Sequence, residues 1–286
     1  MNDKFQELLK TGTNLLFNSG IQAARNETMI LFEKALKKSK LELLTNPKIN
    51  ISTNQKRRLL KIIHERRKGK PISKIFGEKE FYSNQFNVNC DVLDPRPESE
   101  LIVDIVKKLN KNPSQKTQQI LDLGTGTGCL IISIILEYKE KKVFGLGVDI
   151  CKKALKIANE NILRYGLQKR ISLEESSWFS NISRKFDIII SNPPYIETSK
   201  IVKLQKEVKN YDPYISLDGG NDGLHAYRKI ALDAKNFLNV NGIICLELGI
   251  DQLDSVNKIF NNFGYKTILE EKDLQDIHRV VVYKLK

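Results

Sequence analysis

The chain is poor in cysteine. Only Cys90, Cys129, Cys151 and Cys245 occur in 286 residues, and no two have the CxxC spacing of a metal or redox pair. Neither a disulfide framework nor a metal site is expected, and the four read as buried thiols in a reducing compartment. Long apolar runs are also missing. The longest, Leu130–Leu136, falls well short of the roughly 18 residues a membrane span needs. Met1–Lys10 is amphipathic and has no apolar stretch of the kind a secretory signal requires. A cytoplasmic protein with no membrane partner is expected. No Gly-Lys-Ser/Thr occurs, which excludes a P-loop. No segment repeats.

What the chain has in excess is positive charge, +13 overall. Residues 1–90 carry 18 Lys and Arg against 8 Asp and Glu; residues 91–286 carry 29 against 26. The excess gathers in Lys56-Arg57-Arg58 and Arg66-Arg67-Lys68. It reads either as a face toward nucleic acid or an RNA-associated partner, or as a solvated helix surface.

The length suggests two domains, and 41% hydrophobic residues allow a sizeable core. Residues 1–75 show helical spacing only. Phe5, Leu8, Leu9, Leu15 and Leu16 share a helix that Gly20 breaks. Met29, Leu31, Phe32 and Ala35 share another over Ala23–Ser39. Leu59, Leu60, Ile62 and Ile63 share one that opens after Ser52 and ends near Gly69. This predicts a small helical bundle, with His64 a surface or packing residue. Residues 76–95 change character: Phe76–Tyr82 and Phe86–Val88 predict a hairpin linker. Pro97 then stands at a first helical position, with Glu98 and Glu100 suited to the positive end of a helix running to about Asn110. Arg96, held between two prolines, is either a structural clamp or a roof over a ligand.

From residue 117 strands alternate with helices. Strands are expected at Gln118–Leu123, Val143–Asp149, Ile171–Glu174, Phe186–Ser191, Gly242–Leu248, Tyr265–Leu269 and Arg279–Tyr283. Helices are expected at Cys129–Tyr138, Cys151–Tyr165, Ala226–Phe237 and Gln252–Phe263. The alternation predicts an α/β fold over residues 96–286, with a mostly parallel, doubly wound sheet of about seven strands.

The first of these strands ends in Asp122-Leu123-Gly124-Thr125-Gly126-Thr127-Gly128 and runs into a helix. Glycines there allow a tight turn and let a ligand touch the backbone. A dinucleotide fingerprint would need a third glycine at 129, where Cys129 stands. The second strand ends in Asp149, a carboxylate placed to accept the two hydroxyls of a ribose. An adenosine-containing ligand without a pyrophosphate is expected. The fourth strand, Phe186–Ser191, ends in Asn192-Pro193-Pro194-Tyr195. A strand cannot continue through two prolines, so the chain turns and presents this tetrad at the carboxyl end of the sheet, where open α/β sheets bind ligands.

Asp122–Gly128 with Asp149 resembles the cofactor site of Rossmann-like, class I S-adenosylmethionine methyltransferases. The resemblance implies that Gly124, Thr125, Gly126, Thr127 and Gly128 approach the methionine part of S-adenosylmethionine, that Asp149 holds the ribose, and that S-adenosylhomocysteine is the product. It puts Trp178 beside the adenine, where a core aromatic is the other reading. Asn192-Pro193-Pro194-Tyr195 resembles the motif of methyltransferases that modify planar nitrogens, in adenine, cytosine or a glutamine side chain. An amide nitrogen is a poor nucleophile because its lone pair is delocalised. Acceptors on its two N–H bonds orient it and raise its electron density. The Asn192 side-chain oxygen and the Pro193 carbonyl are placed to be those acceptors. Pro194 fixes the turn, and Tyr195 packs on the planar group. The tetrad alone leaves amide and base both open.

The flanking sequence resembles one branch of these enzymes. Gly77–Tyr82, Pro95–Glu100, Glu207-Val208, Tyr211-Asp212-Pro213, Gly219-Gly220, Asp222–Leu224, Tyr227-Arg228, Leu246–Gly249, Gln252, Asp273 and Arg279–Val281 are similar to the bacterial peptide chain release factor N5-glutamine methyltransferases, the PrmC/HemK family. Ser99, Asp212, Ser216 and His278 depart from its usual residues, and residues 1–60 match only in being helical. The resemblance implies methyl transfer to the glutamine of the Gly-Gly-Gln loop of class I bacterial release factors. Asn192, Pro193 and Tyr195 would be catalytic, the whole tetrad would touch substrate, and Asn192 would also touch the cofactor. Residues 1–75 would recognise the release factor. A monomer that does not bind nucleic acid directly is expected. The alternative is an adenine or cytosine amino-methyltransferase, for which no base-flipping or DNA-reading module is evident.

Overall fold

A computed structural model describes residues 3–46, 49–109, 117–138 and 142–286. By their contacts the residues fall into two units, Met1–Gly77 with Gln205–Tyr211, and Glu78–Leu204 with Asp212–Lys286.

In the first unit the described residues of 3–76 form helices α1 (Asp3–Phe17), α2 (Ala24–Leu36), α3 (Lys40–Thr45), α4 (Thr53–Arg67) and α5 (Ile72–Phe76). The apolar positions read from the sequence, among them Phe5, Leu16, Leu31, Phe32, Leu59 and Ile63, are buried together. The single helix expected over Ala23–Ser39 ends sooner, at Leu36, because a second begins. Ser39 caps α3 through a reciprocal pair with Glu42, as Ser52 caps α4 with Gln55. The basic run at Arg66-Arg67-Lys68 is not one exposed patch. Arg66 is 6% exposed; its guanidinium lies 2.6 Å from Glu27 and 3.1 Å from Glu207. Lys56, Arg57, Arg58, Arg67 and Lys68 stay on the surface, as does His64.

The second unit opens with a hairpin of β1 (Glu78–Phe81) and β2 (Asn84–Asn87). Its two-residue turn puts Tyr82 and Ser83 at φ 49° and 57°, the left-handed geometry whose twist suits a tight hairpin. A 3-10 turn at Pro97–Ser99 leads into α6 (Glu100–Leu109); the helix end expected at Asn110 lies outside the described residues. The sheet then follows as β3 (Gln118–Leu123), α7 (Cys129–Glu137), β4 (Val143–Asp149), α8 (Lys152–Arg164), β5 (Ile171–Glu175) and β6 (Phe186–Ser191). The short helices α9 (Thr198–Ile201) and α10 (Lys206–Tyr211) come next, and α10 belongs to the first unit. The chain ends with α11 (His225–Asp233), β7 (Leu238–Glu247), α12 (Leu253–Asn262), β8 (Tyr265–Lys272) and β9 (His278–Leu285).

The seven strands lie in the order β5-β4-β3-β6-β7-β9-β8, parallel except for β9, which is antiparallel to both its neighbours. The central strands β3 and β6 read as near-continuous apolar runs because both faces are covered. One face packs under the hairpin, α6 and α7; the other packs under α11 and α12. The outer strand β8 starts at buried Tyr265 and then alternates exposed and half-buried residues, and its charged side chains protect an open edge. Of the cysteines expected to be buried only Cys245 is; Cys129 and Cys151 are half-buried and Cys90 is exposed. Cys90 falls in the open connection after β2, where no sheet covers it. Among the described residues no helix is long and apolar enough to cross a membrane.

Candidate active site

The chain winds from β3 to β4 and β5 on one side of the sheet, then crosses to β6 and β7 on the other. Beyond the carboxyl ends of β3 and β6 this reversal leaves a crevice. Register brings the two candidate motifs to it: Leu123 pairs with Ser191, and the Ser191 hydroxyl donates to the Leu123 carbonyl at 2.7 Å. Val148, one residue before Asp149, pairs with Leu123 on the opposite side.

The glycine loop is held from beneath. The Thr125 hydroxyl donates to Asp122 at 2.6 Å, and the Thr125 amide donates to the Val148 carbonyl at 2.9 Å. Asn161 of α8 donates to the Thr127 carbonyl at 2.9 Å and accepts from the Asn87 amide of β2 at 2.7 Å, so one buried amide ties loop, helix and hairpin together. Gly124 and Gly126 have φ of 69° and 54°. A side chain at Gly124 would meet nothing within 4 Å, and one at Gly126 only the Gly124 carbonyl at 3.9 Å. The backbone there faces open space. Asp149 completes this side: its two oxygens accept from the Gly126 amide at 3.0 Å and the Cys151 amide at 2.9 Å. Burial raises the pKa of Asp149, against those backbone donors. Asp122, 1% exposed, is pushed up to about 7 by burial, with Asp149 adding and Thr125 opposing.

The tetrad after β6 stands on a second polar cluster. The Asn192 amide nitrogen donates to the Ser99 hydroxyl at 2.9 Å, and Ser99 in turn donates to Glu247 Oε2 in a short contact. The Tyr195 hydroxyl donates to Glu247 Oε1 at 3.2 Å. Glu247, at the end of β7, is 1% exposed, and burial pushes it up to about 7 against its two hydroxyl donors and Arg279. Gln252 uses its whole amide to lock the following backbone. Its Nε2 donates to the Tyr195 carbonyl at 3.0 Å and the Gly223 carbonyl at 3.3 Å, and its Oε1 accepts from the Gly249 amide at 3.1 Å. Arg96 is a clamp: it donates to Asp212 at 2.7 Å.

A cavity of about 180 Å³ opens over the crevice, lined by Gly124, Gly126, Asp149, Trp178, Asn192 and Pro194 among others. Six of the eleven residues expected at the site therefore meet around one space. The rest sit behind it. Thr125 and Thr127 are buried, and Gly128, at φ 77°, caps α7. Pro193 is buried, and the Tyr195 ring packs against the core under α11 and α12. Trp178 is both things at once, a wall of the cavity and an aromatic packed on that core. Its φ is 57°, costly for a bulky residue, and it is held by the Ser176 hydroxyl on its carbonyl at 2.9 Å. Sequence reasoning missed Glu247 and Ser99 as parts of this site. The signal was available: a lone carboxylate in the apolar run of β7 has to be paired.

Open glycine backbone and a carboxylate at neighbouring strand tips, with a side-chain amide across the cavity, on this sheet order, define a Rossmann-like methyltransferase. The family description "Methyltransferase small domain" matches residues 98–209, and "PrmC N-terminal domain" matches residues 7–77. The release factor glutamine methyltransferase of Agrobacterium fabrum is 38% identical over 245 residues, covering 85% of this chain and 84% of that protein. The chain belongs to the release factor glutamine methyltransferase family. A bifunctional methyltransferase of Rickettsia bellii is 35% identical over 310 residues; all of this chain matches, spanning 55% of that longer protein. The fold is shared with the crystal structure of the hMettl16 catalytic domain in complex with MAT2A 3'UTR hairpin 6, at a TM-score of 0.56 and 14% identity, over 82% of this chain and 83% of that one.

Proposed function

We propose that this protein transfers a methyl group from S-adenosylmethionine to the side-chain amide nitrogen of a glutamine in bacterial release factors, the glutamine of their Gly-Gly-Gln loop. Membership of a family whose Agrobacterium member carries that name supports the substrate. The observation that carries the chemistry is the meeting of Gly124, Gly126 and Asp149 with Asn192 around one cavity.

The residues present fit the donor. Gly124 and Gly126 expose backbone with free space in front of it, Asp149 offers oxygen lone pairs beyond the two backbone bonds it already accepts, and Trp178 supplies an aromatic wall. When bound, S-adenosylmethionine supplies an electrophilic methyl carbon on sulfonium sulfur. The protein's part is to hold the nucleophile. Asn192 turns its nitrogen to Ser99, which leaves its oxygen to accept from one substrate N–H; the Pro193 carbonyl is assigned the other. Holding the amide in line with the donor is an orientation effect, and two acceptors stabilise positive charge as it develops on nitrogen. The substrate nitrogen would become acidic only as it takes the methyl carbon from sulfur, which leaves as a neutral thioether, and its proton would then pass to water, so no strong base is required. Tyr195 acts here from behind the cavity wall rather than by packing on the planar group, because its ring lies on the core and its hydroxyl holds Glu247.

The helical unit, residues 1–75, is assigned to release factor recognition, and the reaction to the cytoplasm, by a monomer. No His, Cys, Asp and Glu group among the described residues is placed to hold a metal ion, and none enters this mechanism. Incubation with methyl-labelled S-adenosylmethionine and either purified release factor or DNA tests the reading. Label in release factor is expected. Label in DNA with none in release factor would overturn it in favour of an amino-methyltransferase of bases.

A further inference from the structure

We propose that Glu247 and Ser99 are positioning residues that decide which end of the Asn192 amide faces the cavity. The inference rests on the reaction proposed above and extends it to two side chains that line no part of the cavity.

The orientation of the amide follows from the count of hydrogens around Ser99. An ionised carboxylate only accepts hydrogen bonds, and a serine hydroxyl has one hydrogen to give. The Tyr195 and Ser99 hydroxyls both point at Glu247. With its hydrogen committed to Glu247, the Ser99 oxygen has only lone pairs to offer its other neighbour. That neighbour is the Asn192 side chain, at 2.9 Å. It must therefore present NH2 to Ser99 and keep its oxygen for the cavity. A protonated Glu247 removes the constraint. Its own hydrogen can serve Ser99, and the Ser99 hydrogen is then free to meet the Asn192 oxygen. The amide turns over and presents NH2 to the substrate amide, donor against donor. A reversible turn of one side chain thus connects a carboxyl buried at the end of β7 to the group that holds the nucleophile.

The surroundings of Glu247 leave it as the group in this cluster whose protonation changes near neutrality. Arg279 faces it and is itself held by Asp273 at 2.8 Å. Glu98 contributes a like charge from the turn before α6. Tyr195 and Tyr227 face it as phenols whose burial raises their pKa. Cys129 at the start of α7 is a thiol pushed up to about 12. Glu247 itself is pushed up to about 7. Asp122 shares that value but lies at the end of β3 beneath the glycine loop it holds through Thr125, so its protonation is read in cofactor affinity and drops out when cofactor is saturating.

The test is kcat at saturating cofactor and release factor, measured between about pH 5.5 and 8.5 for the wild type and three variants. Wild type and Ser99→Thr, which keeps the hydroxyl, are expected to share a plateau and an acid limb centred near pH 7. Ser99→Ala uncouples Asn192: its plateau falls about 10- to 100-fold, its acid limb disappears, and its KM for release factor stays within about threefold. Glu247→Gln has nothing to titrate and shows no acid limb. A Ser99→Ala enzyme with the wild-type plateau and limb, or a Glu247→Gln enzyme with the wild-type limb, overturns the inference. Should Ser99→Ala not fold, Glu247→Gln against wild type decides alone. A wild type that methylates no release factor at any pH overturns the underlying reaction instead, before any variant is compared.

Discussion

Replacing Asn192 with alanine separates a structural turn from an acceptor clamp. Among the described residues the Asn192 side chain makes one bond, to Ser99 at 2.9 Å, while Ser99 keeps its partner Glu247. Losing that bond costs about 1 kcal/mol of stability, too little to unfold a domain with two buried apolar layers. The effect on rate is far larger if the Asn192 oxygen accepts from the substrate nitrogen. Positive charge builds on that nitrogen as the new bond forms, and removing one preorganised partner of developing charge costs about 3 kcal/mol, or 100- to 1000-fold. Cofactor affinity should move by no more than about threefold, since the glycine loop and Asp149 are untouched. Single-turnover methyl transfer gives the rate, titration calorimetry the affinity and thermal unfolding the stability. A rate within tenfold of wild type, or an affinity that falls in step with the rate, would refute the clamp.

Three further outcomes are expected. Gly223→Ala places a methyl carbon 2.5 Å from the Tyr195 carbonyl and 2.7 Å from Gln252 Nε2, at φ 72°; left-handed strain and a lost hydrogen bond together cost about 2–4 kcal/mol, so an unchanged melting temperature would contradict the role given to Gln252. Arg66→Ala leaves Glu27 and Glu207 facing each other without their guanidinium; about 2–3 kcal/mol of stability is lost after allowing for partial exposure of both carboxylates, with faster proteolysis at residues 205–211, whereas exposed Arg57→Ala changes neither. Asp122 and Glu247 keep their protons in the folded chain up to about pH 7 but lose them near pH 4 when unfolded. The folded state then binds more protons between those values, so stability falls as pH rises from about 4 to about 7 and levels off above. Urea midpoints should show a shallower fall for Asp122→Asn and Glu247→Gln; an identical slope would show that these carboxyls ionise as freely when folded.

The sheet was legible because its central strands are buried on both faces and read as apolar runs of the right length. Strands β3, β4 and β6 have the bounds expected from their residues. The first half of β7 was not legible. The strand was expected only from Gly242, yet residues 238–241 extend it through an irregularity opposite Phe186 and Ile188, with Asn241 at φ 68°. The short helices α3 and α5 are set by local caps and packing rather than by any long periodicity; the Ser39–Glu42 pair that opens α3 was visible but unused. At the site, spacing located Gly124, Gly126, Asp149, Asn192 and Pro194 because each sits at or just past a strand tip. It did not separate residues that line the cavity from those behind it. Thr125, Thr127 and Tyr195 turn inward to partners fixed by the fold. Nor did it assemble Ser99, Asn192, Tyr195 and Glu247, whose hydrogen bonds span up to 148 positions. The partnership of Arg66 with Glu207, 141 positions apart, was hidden for the same reason, and a buried guanidinium was read as surface charge.

Mapping the methyl group tests whether a planar glutamine amide is the acceptor held by Asn192. Purified release factor is incubated with the enzyme and methyl-labelled S-adenosylmethionine, digested, and sequenced by mass spectrometry, beside a release factor whose Gly-Gly-Gln glutamine is replaced by alanine. The proposed reaction puts label at one site, on that glutamine side chain, and none in the replaced protein. Equal labelling of both release factors, or label confined to nucleic acid carried with them, would contradict it.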